Sequence, residues 1–400
     1  MPLTNSSARY GSVARTFHWL TALLILAQIP LGFYADYLPY DTSDALAFKA
    51  TMFSLHKTLG VAIFFVAVAR ILWAVAQPKP APLHPDRRAE TWAAETVHWL
   101  LYGSLVLVPL SGWVHHAATS GFAPILWPFG QSLPLVPQSE TLAAITAGLH
   151  GLAAWVLVAA IGLHVAGALK HAIIDRDATL RRMTSGAAAG PAGDTRHAVA
   201  GPLATALAAW LAVLGAGYAA GFYGTEHTAG PAQALAEVQS EWQVEEGSVT
   251  ITVNQFGSDV SGSFADWTAD ISFDPDSTEE RMGGVLATIS VGSLTLGSVT
   301  QQALGADYLD ASGYPTATFD ADIFRADDGF EARGDLTIKD VAAPAVLAFS
   351  LEIIDDVAEM QGNLTLDRRD YGVGDSLPDE KSLKFPVAVS VALTARRGGQ

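Results

Sequence analysis

Two histidines lie within one strongly apolar stretch of the chain: His150 and His164, between Gly148 and Gly167. Their positions differ by 14 (164 − 150), close to four helical turns of about 3.6 residues each, so both rings leave the same helix face. At a rise of about 1.5 Å per residue the rings lie roughly 21 Å apart, near opposite sides of a hydrocarbon layer about 30 Å thick. An imidazole at membrane depth faces a partner rather than lipid and marks a functional site. The spacing therefore predicts iron as the partner, in two stacked haems, one in each leaflet.

Two further histidines complete a set of axial ligands. His18 lies at the start of the first apolar segment, and His56 lies near the start of the second. A six-coordinate haem takes two axial histidines, so four histidines make two such pairs. We therefore predict that His18, His56, His150 and His164 bind the iron of two non-covalent b haems. The alternative is that they are polar residues buried between helices and hydrogen-bonded to their neighbours.

Composition divides the chain into two unlike parts. It has 400 residues, of which 50% are hydrophobic and 16% are charged, and its net charge is −17. Residues 1–224 hold 13 Lys and Arg against 10 Asp and Glu, whereas residues 225–400 hold 10 against 30, so the negative charge belongs to the second part. The chain has no cysteine, which excludes disulfides, iron–sulfur clusters, thiolate-ligated haem and covalent attachment of haem through cysteine.

The apolar segments predict a four-helix membrane domain with a fifth helix after it. The fifth run has the length of a membrane span but contains no histidine, so we interpret it as a tether. We predict a membrane domain over 1–184, a linker with the fifth helix over 185–236, and a second domain over 237–400. The predicted spans are Thr16–Tyr34, Met52–Ala76, Thr91–Ala117, Glu140–Ile174 and Pro202–Tyr223.

Basic residues predict the orientation of these spans. The N-terminal tail and the 77–90 and 175–197 loops are basic, whereas the 35–50 loop is acidic and the 118–139 loop has no Lys or Arg. Because basic loops stay on the cytoplasmic side, the N-terminus is expected there and the second domain outside. His18 and His164 then lie toward the cytoplasmic side, and His56 and His150 toward the outer side, which gives the two ligand pairs.

Other ionisable residues of the membrane domain are candidates for supporting roles. Lys57 and Arg70 are candidates to contact a haem propionate, and Lys57 also to attract an anion; the alternative for Lys57 is an ordinary interfacial lysine. Four more histidines are candidates for a proton relay or a quinone contact, since histidine titrates near neutral pH. The alternative for each is an interhelical hydrogen bond or an interfacial position. They are His98, His115, His116 and His171.

The second part alternates apolar and polar residues, as in 249–253, 287–291 and 387–393. Period-two alternation in short runs, broken by Gly, Asp and Pro, predicts antiparallel strands. About 160 residues of this pattern suit one closed all-β barrel. No Ser/His/Asp set can lie among these strands, since the last histidine of the chain, His227, precedes the first of them, and we assign no catalytic residue to this part.

Several motifs of the first part, over residues 8–184, resemble the bacterial cytochrome b561 family. The resemblance implies a four-helix bundle in the inner membrane with two b haems and the same four histidine ligands. It also implies electron exchange between quinone and partners at the periplasmic face, and one branch of the family resembles a superoxide oxidase that reduces ubiquinone. The motifs are Phe17-His18-Trp19, Leu55-His56-Lys57-Thr-Leu-Gly60, Ala69-Arg70-Ile71 with Pro78-Lys-Pro80, Gly148-Leu-His150 and Gly162-Leu-His164.

The second part, over residues 240–396, resembles the YceI-like family. The resemblance implies a lipocalin-like barrel that binds polyisoprenoid chains. Asn254-Gln255-Phe256-Gly257 stands where many members carry a basic or histidine-containing stretch. The matching motifs are Val260-Ser-Gly-Ser-Phe264, Ile271-Ser-Phe-Asp274-Pro, Asp307-Tyr-Leu-Asp310, Tyr314-Pro315-Thr-Ala-Thr-Phe319, Gly334-Asp-Leu-Thr-Ile338 and Arg369-Asp370-Tyr371-Gly372.

Together these features predict a membrane-bound di-haem b oxidoreductase that exchanges electrons with quinone and carries a periplasmic lipid-binding barrel. Superoxide:ubiquinone oxidoreductase is the leading activity. One alternative is a cytochrome b subunit that relays electrons between quinone and a separate periplasmic dehydrogenase. Another is a redox-linked lipid or quinone carrier. The expected partners are membrane lipid, quinone and a polyisoprenoid, with a periplasmic redox partner in the relay alternative and no nucleic acid.

Overall fold

The computed structural model describes residues 2–119, 123–189, 199–224, 235–236, 238 and 240–398. It divides the chain into two compact units. The helical unit comprises Met1–Tyr37, Met52–Thr119 and Pro124–Thr225, and the β unit comprises Leu38–Thr51, Ser120–Ala123 and Glu226–Gln400. The Gly/Ala-rich part of the predicted linker lies outside the described residues from position 190 to 198.

Among the described residues, five helices are long and apolar enough to cross a membrane by length and composition, and each overlaps one of the five predicted segments. They are α1 (Ser12–Tyr37), α2 (Ser43–Val75), α3 (Arg88–Ala118), α4 (Glu140–Leu169, continued by a π-helix over Lys170–Asp175) and, after the short α5 (Thr179–Thr184), α6 (Ala200–Ala219).

The helices extend beyond the apolar segments at several ends. The largest difference is at the start of α2, which was predicted at Met52 and begins at Ser43. There the Thr42 hydroxyl accepts the Ala45 N–H at 3.2 Å, which supplies a partner that a helix start otherwise lacks. Hydropathy identifies only the apolar part of a helix. The first turn of α2 is polar, so a prediction from hydropathy leaves it out.

Hydroxyl side chains within the spans bond to their own helix. Thr21, Ser104 and Ser111 each donate to the carbonyl four residues earlier, at 2.6–2.8 Å. A hydroxyl buried among apolar side chains costs free energy unless it has a partner, and this local bond provides one.

The fifth long helix packs into the helical unit, although the sequence suggested a tether. A Cβ added at Gly103 of α3 would lie 3.0 Å from Nε1 of Trp210, a buried residue of α6. A Cβ added at Gly217 of α6 would lie closer still to Cδ1 of Leu152 in α4. Small residues thus let α6 approach both α3 and α4, as is common between membrane helices.

The β unit contains a ten-stranded antiparallel sheet within the described residues, which confirms the predicted barrel-like architecture. The strand order is β3-β4-β6-β7-β8-β9-β10-β1-β2-β5. The sheet curls until Gly247 of β1 meets the ring of Trp267 in β3. The strands are β1 (Trp242–Gln255), β2 (Ser258–Phe264), β3 (Trp267–Phe273), β4 (Arg281–Ser290), β5 (Leu294–Thr295), β6 (Thr316–Ala326), β7 (Gly329–Ile338), β8 (Val341–Ile354), β9 (Val357–Asp367) and β10 (Leu383–Arg397).

One buried arginine fixes the chain between β9 and β10. Arg368 is 3% exposed, and its guanidinium donates five hydrogen bonds to backbone carbonyls at 2.5–3.3 Å. The planar fork of Arg suits several acceptors at once. Burial lowers the pKa of Arg368 from its ordinary value. The carbonyls belong to Val373, Gly374, Leu377, Leu383 and Lys384.

Candidate functional site

The first histidine pair joins α1 and α4. The rings of His18 and His164 have centroids 6.0 Å apart and planes inclined by 53°. Arg70 of α2 places Nη2 at 3.4 Å from Nδ1 of His18, and its guanidinium lies 5.9 Å from the Tyr102 ring centroid. His98 of α3 lies nearer still to His164, with ring centroids 5.2 Å apart.

The second histidine pair joins α2 and α4. The rings of His56 and His150 have centroids 6.3 Å apart and planes inclined by 82°. Nδ1 of His150 lies 2.9 Å from the carbonyl oxygen of Val108. If Nδ1 carries the proton and donates it there, Nε2 remains available as a metal ligand; this tautomer is inferred from the hydrogen bond.

The two pairs have the separation that a bound metal requires. With metal–nitrogen bonds of about 2 Å, imidazoles on opposite sides of one iron have ring centroids roughly 6 Å apart. The distances within the pairs are 6.0 Å and 6.3 Å. The 5.2 Å between His98 and His164 is shorter than such an arrangement allows. Nδ1 of His56 is buried and has no hydrogen-bond partner among the described residues.

Glycines lie against the second pair on two different helices. A Cβ at Gly32 of α1 would stand 2.6 Å from Cε1 of His56. A Cβ at Gly112 of α3 would stand 2.9 Å from both Cε1 and Nδ1 of His150. Any larger residue at either position displaces an imidazole or the helix that carries it. These residues fit b haem held between two histidines.

Near the second pair, the other candidates are already engaged in hydrogen bonds. Nδ1 of His116 lies 3.3 Å from Nζ of Lys57, and its Nε2 lies 2.9 Å from Oε1 of Gln131. Nδ1 of His115 lies 2.9 Å from the carbonyl oxygen of Ala143. These contacts agree with the alternative interpretation of His115 and His116 as hydrogen-bonding residues between elements. They also place a cationic side chain beside His116.

His171 belongs to a cluster that the sequence analysis did not identify. Its Nδ1 lies 2.7 Å from Oδ2 of Asp177, and Nε2 of His84 lies 3.0 Å from the same oxygen. His84 follows α2 in a proline-rich loop, 93 positions before Asp177, so no local pattern links them. Burial alone would raise the pKa of Asp177, but hydrogen bonds from Thr179, His171 and His84 outweigh it and hold that pKa well below its usual range.

The β unit encloses two adjoining apolar cavities of about 160 and 170 Å³. Gln255 lines the second cavity, and its Oε1 is buried with no hydrogen-bond partner among the described residues. Tyr308 lines the same cavity and accepts a hydrogen bond from Nε2 of Gln302 at 2.7 Å. Burial raises the pKa of Tyr308. Residues that line both cavities are Val249, Ile289, Leu336, Leu366 and Val389.

Comparison with known proteins matches the two parts of the chain to two different families. The model of the prokaryotic cytochrome b561 family matches residues 9–186, and that of the YceI-like domain matches residues 241–395. "Cytochrome b561 homolog 2" of Escherichia coli (strain K12) is 33% identical over 183 residues, which is 46% of this chain and 95% of the relative. "Probable superoxide oxidase CybB" of Yersinia pestis is 27% identical over 181 residues, 44% of this chain and 95% of the relative.

Solved structures match the second part of the chain. The crystal structure of Burkholderia cenocepacia BcnA has 27% sequence identity and a TM-score of 0.35, and covers 37% of this chain and 95% of its own. That of the Campylobacter jejuni YceI protein has 20% identity and a TM-score of 0.32, and covers 44% of this chain and 99% of its own.

Proposed function

Because the chain belongs to the prokaryotic cytochrome b561 family through residues 9–186 and carries a YceI-like domain over residues 241–395, we propose that it is a membrane-bound di-haem b superoxide:ubiquinone oxidoreductase. The observation that carries the proposal is the pair of facing imidazoles at each of two levels of one helix, α4. In the proposed reaction, two superoxide anions are oxidised to dioxygen and one ubiquinone takes up the two electrons and two protons.

Four histidines hold the haems in this proposal: His18 with His164, and His56 with His150. Haems held by these histidine pairs would supply outer-sphere electron transfer rather than oxygen activation. Arg70, 3.4 Å from His18, is proposed to contact a propionate of the first haem. The histidine pairs thus define an electron path along α4.

Lys57 is proposed to guide superoxide to the second pair. Its Nζ lies 3.3 Å from Nδ1 of His116, and its charge is close enough to act on His56, so it is proposed to stand near the second haem. A fixed cation raises the local concentration of a small anion and the rate of encounter. The relative described as a probable superoxide oxidase supports this choice of donor.

Quinone reduction also requires protons, and His171 is proposed to help supply them. The His171–Asp177–His84 chain of contacts, at 2.7 Å and 3.0 Å, links three titratable side chains that are each partly exposed. His98 is proposed as a second contact near the first pair, where its ring lies 5.2 Å from that of His164. Histidines with carboxylate partners can exchange protons with water at neutral pH.

The barrel is proposed to bind an isoprenoid lipid or an isoprenoid quinone. Its two adjoining cavities are lined almost entirely by apolar side chains, which suits a long hydrocarbon chain rather than a polar metabolite. The distribution of basic residues supports a bacterial inner-membrane location with the N-terminus in the cytoplasm and the barrel in the periplasm.

A superoxide pulse on the purified, oxidised protein tests the proposed activity. Haem absorbance is followed after mixing, with and without ubiquinone, and with superoxide dismutase as the control that removes the donor. We expect rapid haem reduction by superoxide and reoxidation by ubiquinone. If dithionite reduces the haem but superoxide does not, superoxide is not the donor. A cytochrome that relays electrons for a separate periplasmic dehydrogenase then becomes the favoured hypothesis.

A further inference from the structure

The cluster of His84, His171 and Asp177 has the composition of a metal site. One donor atom from each residue lies within 4.8 Å of the others. The two imidazole rings stack almost in parallel, with centroids 6.2 Å apart and planes inclined by 6°. Both present a nitrogen to the same carboxylate oxygen, Oδ2 of Asp177. Their side chains are 34%, 23% and 12% exposed, so an ion from solution can reach them.

The backbone holds these donors in place. His171 lies in the π-helix Lys170–Asp175, a rare element that often marks a functional position. The next residue, Arg176, adopts a left-handed conformation with φ of 53°, which turns the chain toward Asp177. The backbone N–H of Thr179 donates to Oδ1 of Asp177 at 2.8 Å, which leaves Oδ2 for the histidines. A ligand oriented by such a second contact loses less freedom when it binds a metal.

Neighbouring charges also favour Asp177 over the other carboxylates as a ligand. Lys170 lies 2.8 Å from both Glu90 and Asp175, and Arg87 lies within 3.5 Å of the same two carboxylates. Glu90 and Asp175 are thus matched by two cations, and Oδ2 of Asp175 also lies 3.1 Å from Nδ1 of His171. Within the described residues, the groups that contact Asp177 most closely are the two imidazoles and Thr179, and Arg182 acts on it through its charge.

We propose that His84 Nε2, His171 Nδ1 and the Asp177 carboxylate form a binding site for one zinc-class divalent cation. Two neutral imidazoles and one carboxylate form a donor set that suits Zn²⁺, whereas Mg²⁺ and Ca²⁺ prefer oxygen donors throughout. In a tetrahedral zinc site with bonds of about 2.0–2.1 Å, the donor atoms lie about 3.3 Å apart. The present separations of 2.7 Å and 3.0 Å need to widen by only a few tenths of an ångström.

Binding of the cation displaces protons from the atoms that otherwise share them. A zinc ligand must be a neutral imidazole or an ionised carboxylate, so zinc and protons compete for His84 and His171. The affinity for a metal held by such ligands therefore falls as the pH is lowered. His171 is seven residues after His164, so the site lies about 10 Å along the helix from a proposed haem ligand. A bound cation would then block proton entry at this end of the membrane domain.

The test measures zinc directly on the full-length, haem-loaded protein. Protein treated with chelator is dialysed against buffered ZnCl₂, and zinc and iron are counted together by mass spectrometry. We expect one zinc per chain, no displacement by millimolar Mg²⁺, and weaker binding at pH 5.5 than at pH 7.5. Zinc-edge X-ray absorption should show two imidazoles and at least one oxygen donor. The absence of bound zinc at micromolar free concentration would overturn the proposal.

Substitutions separate this site from its neighbours. His84→Ala and Asp177→Asn should each weaken zinc binding by about 100-fold or more, since loss of a direct ligand exceeds the roughly 10–100-fold cost of losing a supporting contact. Glu95→Gln, which removes a carboxylate paired with Lys79 outside the cluster, is the matched control and should retain binding. The Soret absorbance of each variant reports whether the helical unit has folded. Zinc binding that survives in both His84→Ala and Asp177→Asn, or that is lost in Glu95→Gln alone, would contradict the assignment.

Discussion

Gly32 offers the sharpest test of the second histidine pair. A Cβ at this position would lie 2.6 Å from Cε1 of His56, whereas carbon atoms rest at about 3.5–4.0 Å. The Gly32→Ala substitution therefore pushes the imidazole, or the helix that carries it, by about 1 Å. Metal–ligand distances hold to within about 0.2 Å, so a shift of that size would take His56 out of reach of an iron held between His56 and His150. On helix propensity alone, the same change would stabilise α1 by about 1 kcal/mol.

We expect haem in Gly32→Ala to fall from about two per chain to about one, as measured by pyridine haemochrome absorbance against protein concentration. Gly167→Ala in α4 is the matched control, because a Cβ there meets no heavy atom of the described residues within 4 Å. A Gly32→Ala protein that keeps two haems with unchanged reduction potentials would refute the placement of the second haem between His56 and His150.

Three further substitutions test the guidance of superoxide, the stability of the β unit and the binding of lipid in its cavity. Lys57→Gln should slow haem reduction by superoxide roughly tenfold and weaken the dependence of that rate on salt, since a guiding cation is lost. The control is Lys79→Gln, whose lysine pairs with Glu95; it should leave the rate unchanged in the same stopped-flow assay. Arg368→Lys should destabilise the β unit by about 2–4 kcal/mol, because an ammonium has three donors and leaves at least two of the five carbonyls without a partner. Thermal unfolding monitored by far-ultraviolet circular dichroism checks this, and a melting temperature equal to that of the parent would contradict it. Gln255→Leu should reduce co-purification of hydroxyl-bearing isoprenoids, because the buried Oε1 in the cavity lacks a donor among the described residues; lipid extraction and mass spectrometry give the occupancy, and an unchanged occupancy would remove Gln255 from head-group recognition.

Sequence reasoning worked best for residues that are costly to place where they lie. Histidines within apolar helices are costly unless they have a partner, so His150 and His164 stood out without any structure. Orientation from basic loops then grouped them with His56 and His18, and the structure brings the rings of each group to about 6 Å. The role of these residues as iron ligands stays a prediction that haem content must test.

What the sequence could not reveal depends on contacts between distant residues. His84 and Asp177 lie 93 positions apart, in loops without periodicity, so only the fold brings them together. In the sequence, Arg368 looks like any charged residue at the end of a strand. It can be buried because five backbone carbonyls of the chain that follows accept hydrogen bonds from its guanidinium. The packing of α6 depends on similar contacts. In the sequence, Gly103 of α3 and Gly217 of α6 are ordinary members of apolar segments, and only the fold places them against Trp210 and Leu152.

Haem content in single histidine variants tests the proposed iron ligands. His18→Ala and His56→Ala should each retain about one haem per chain, and the low-spin ferric signals of the lost haem should disappear from the electron paramagnetic resonance spectrum. His98→Ala should retain both haems, because its ring is too close to His164 to lie across an iron from it. Two haems in His18→Ala, together with one in His98→Ala, would contradict the ligand assignment and the electron path built on it.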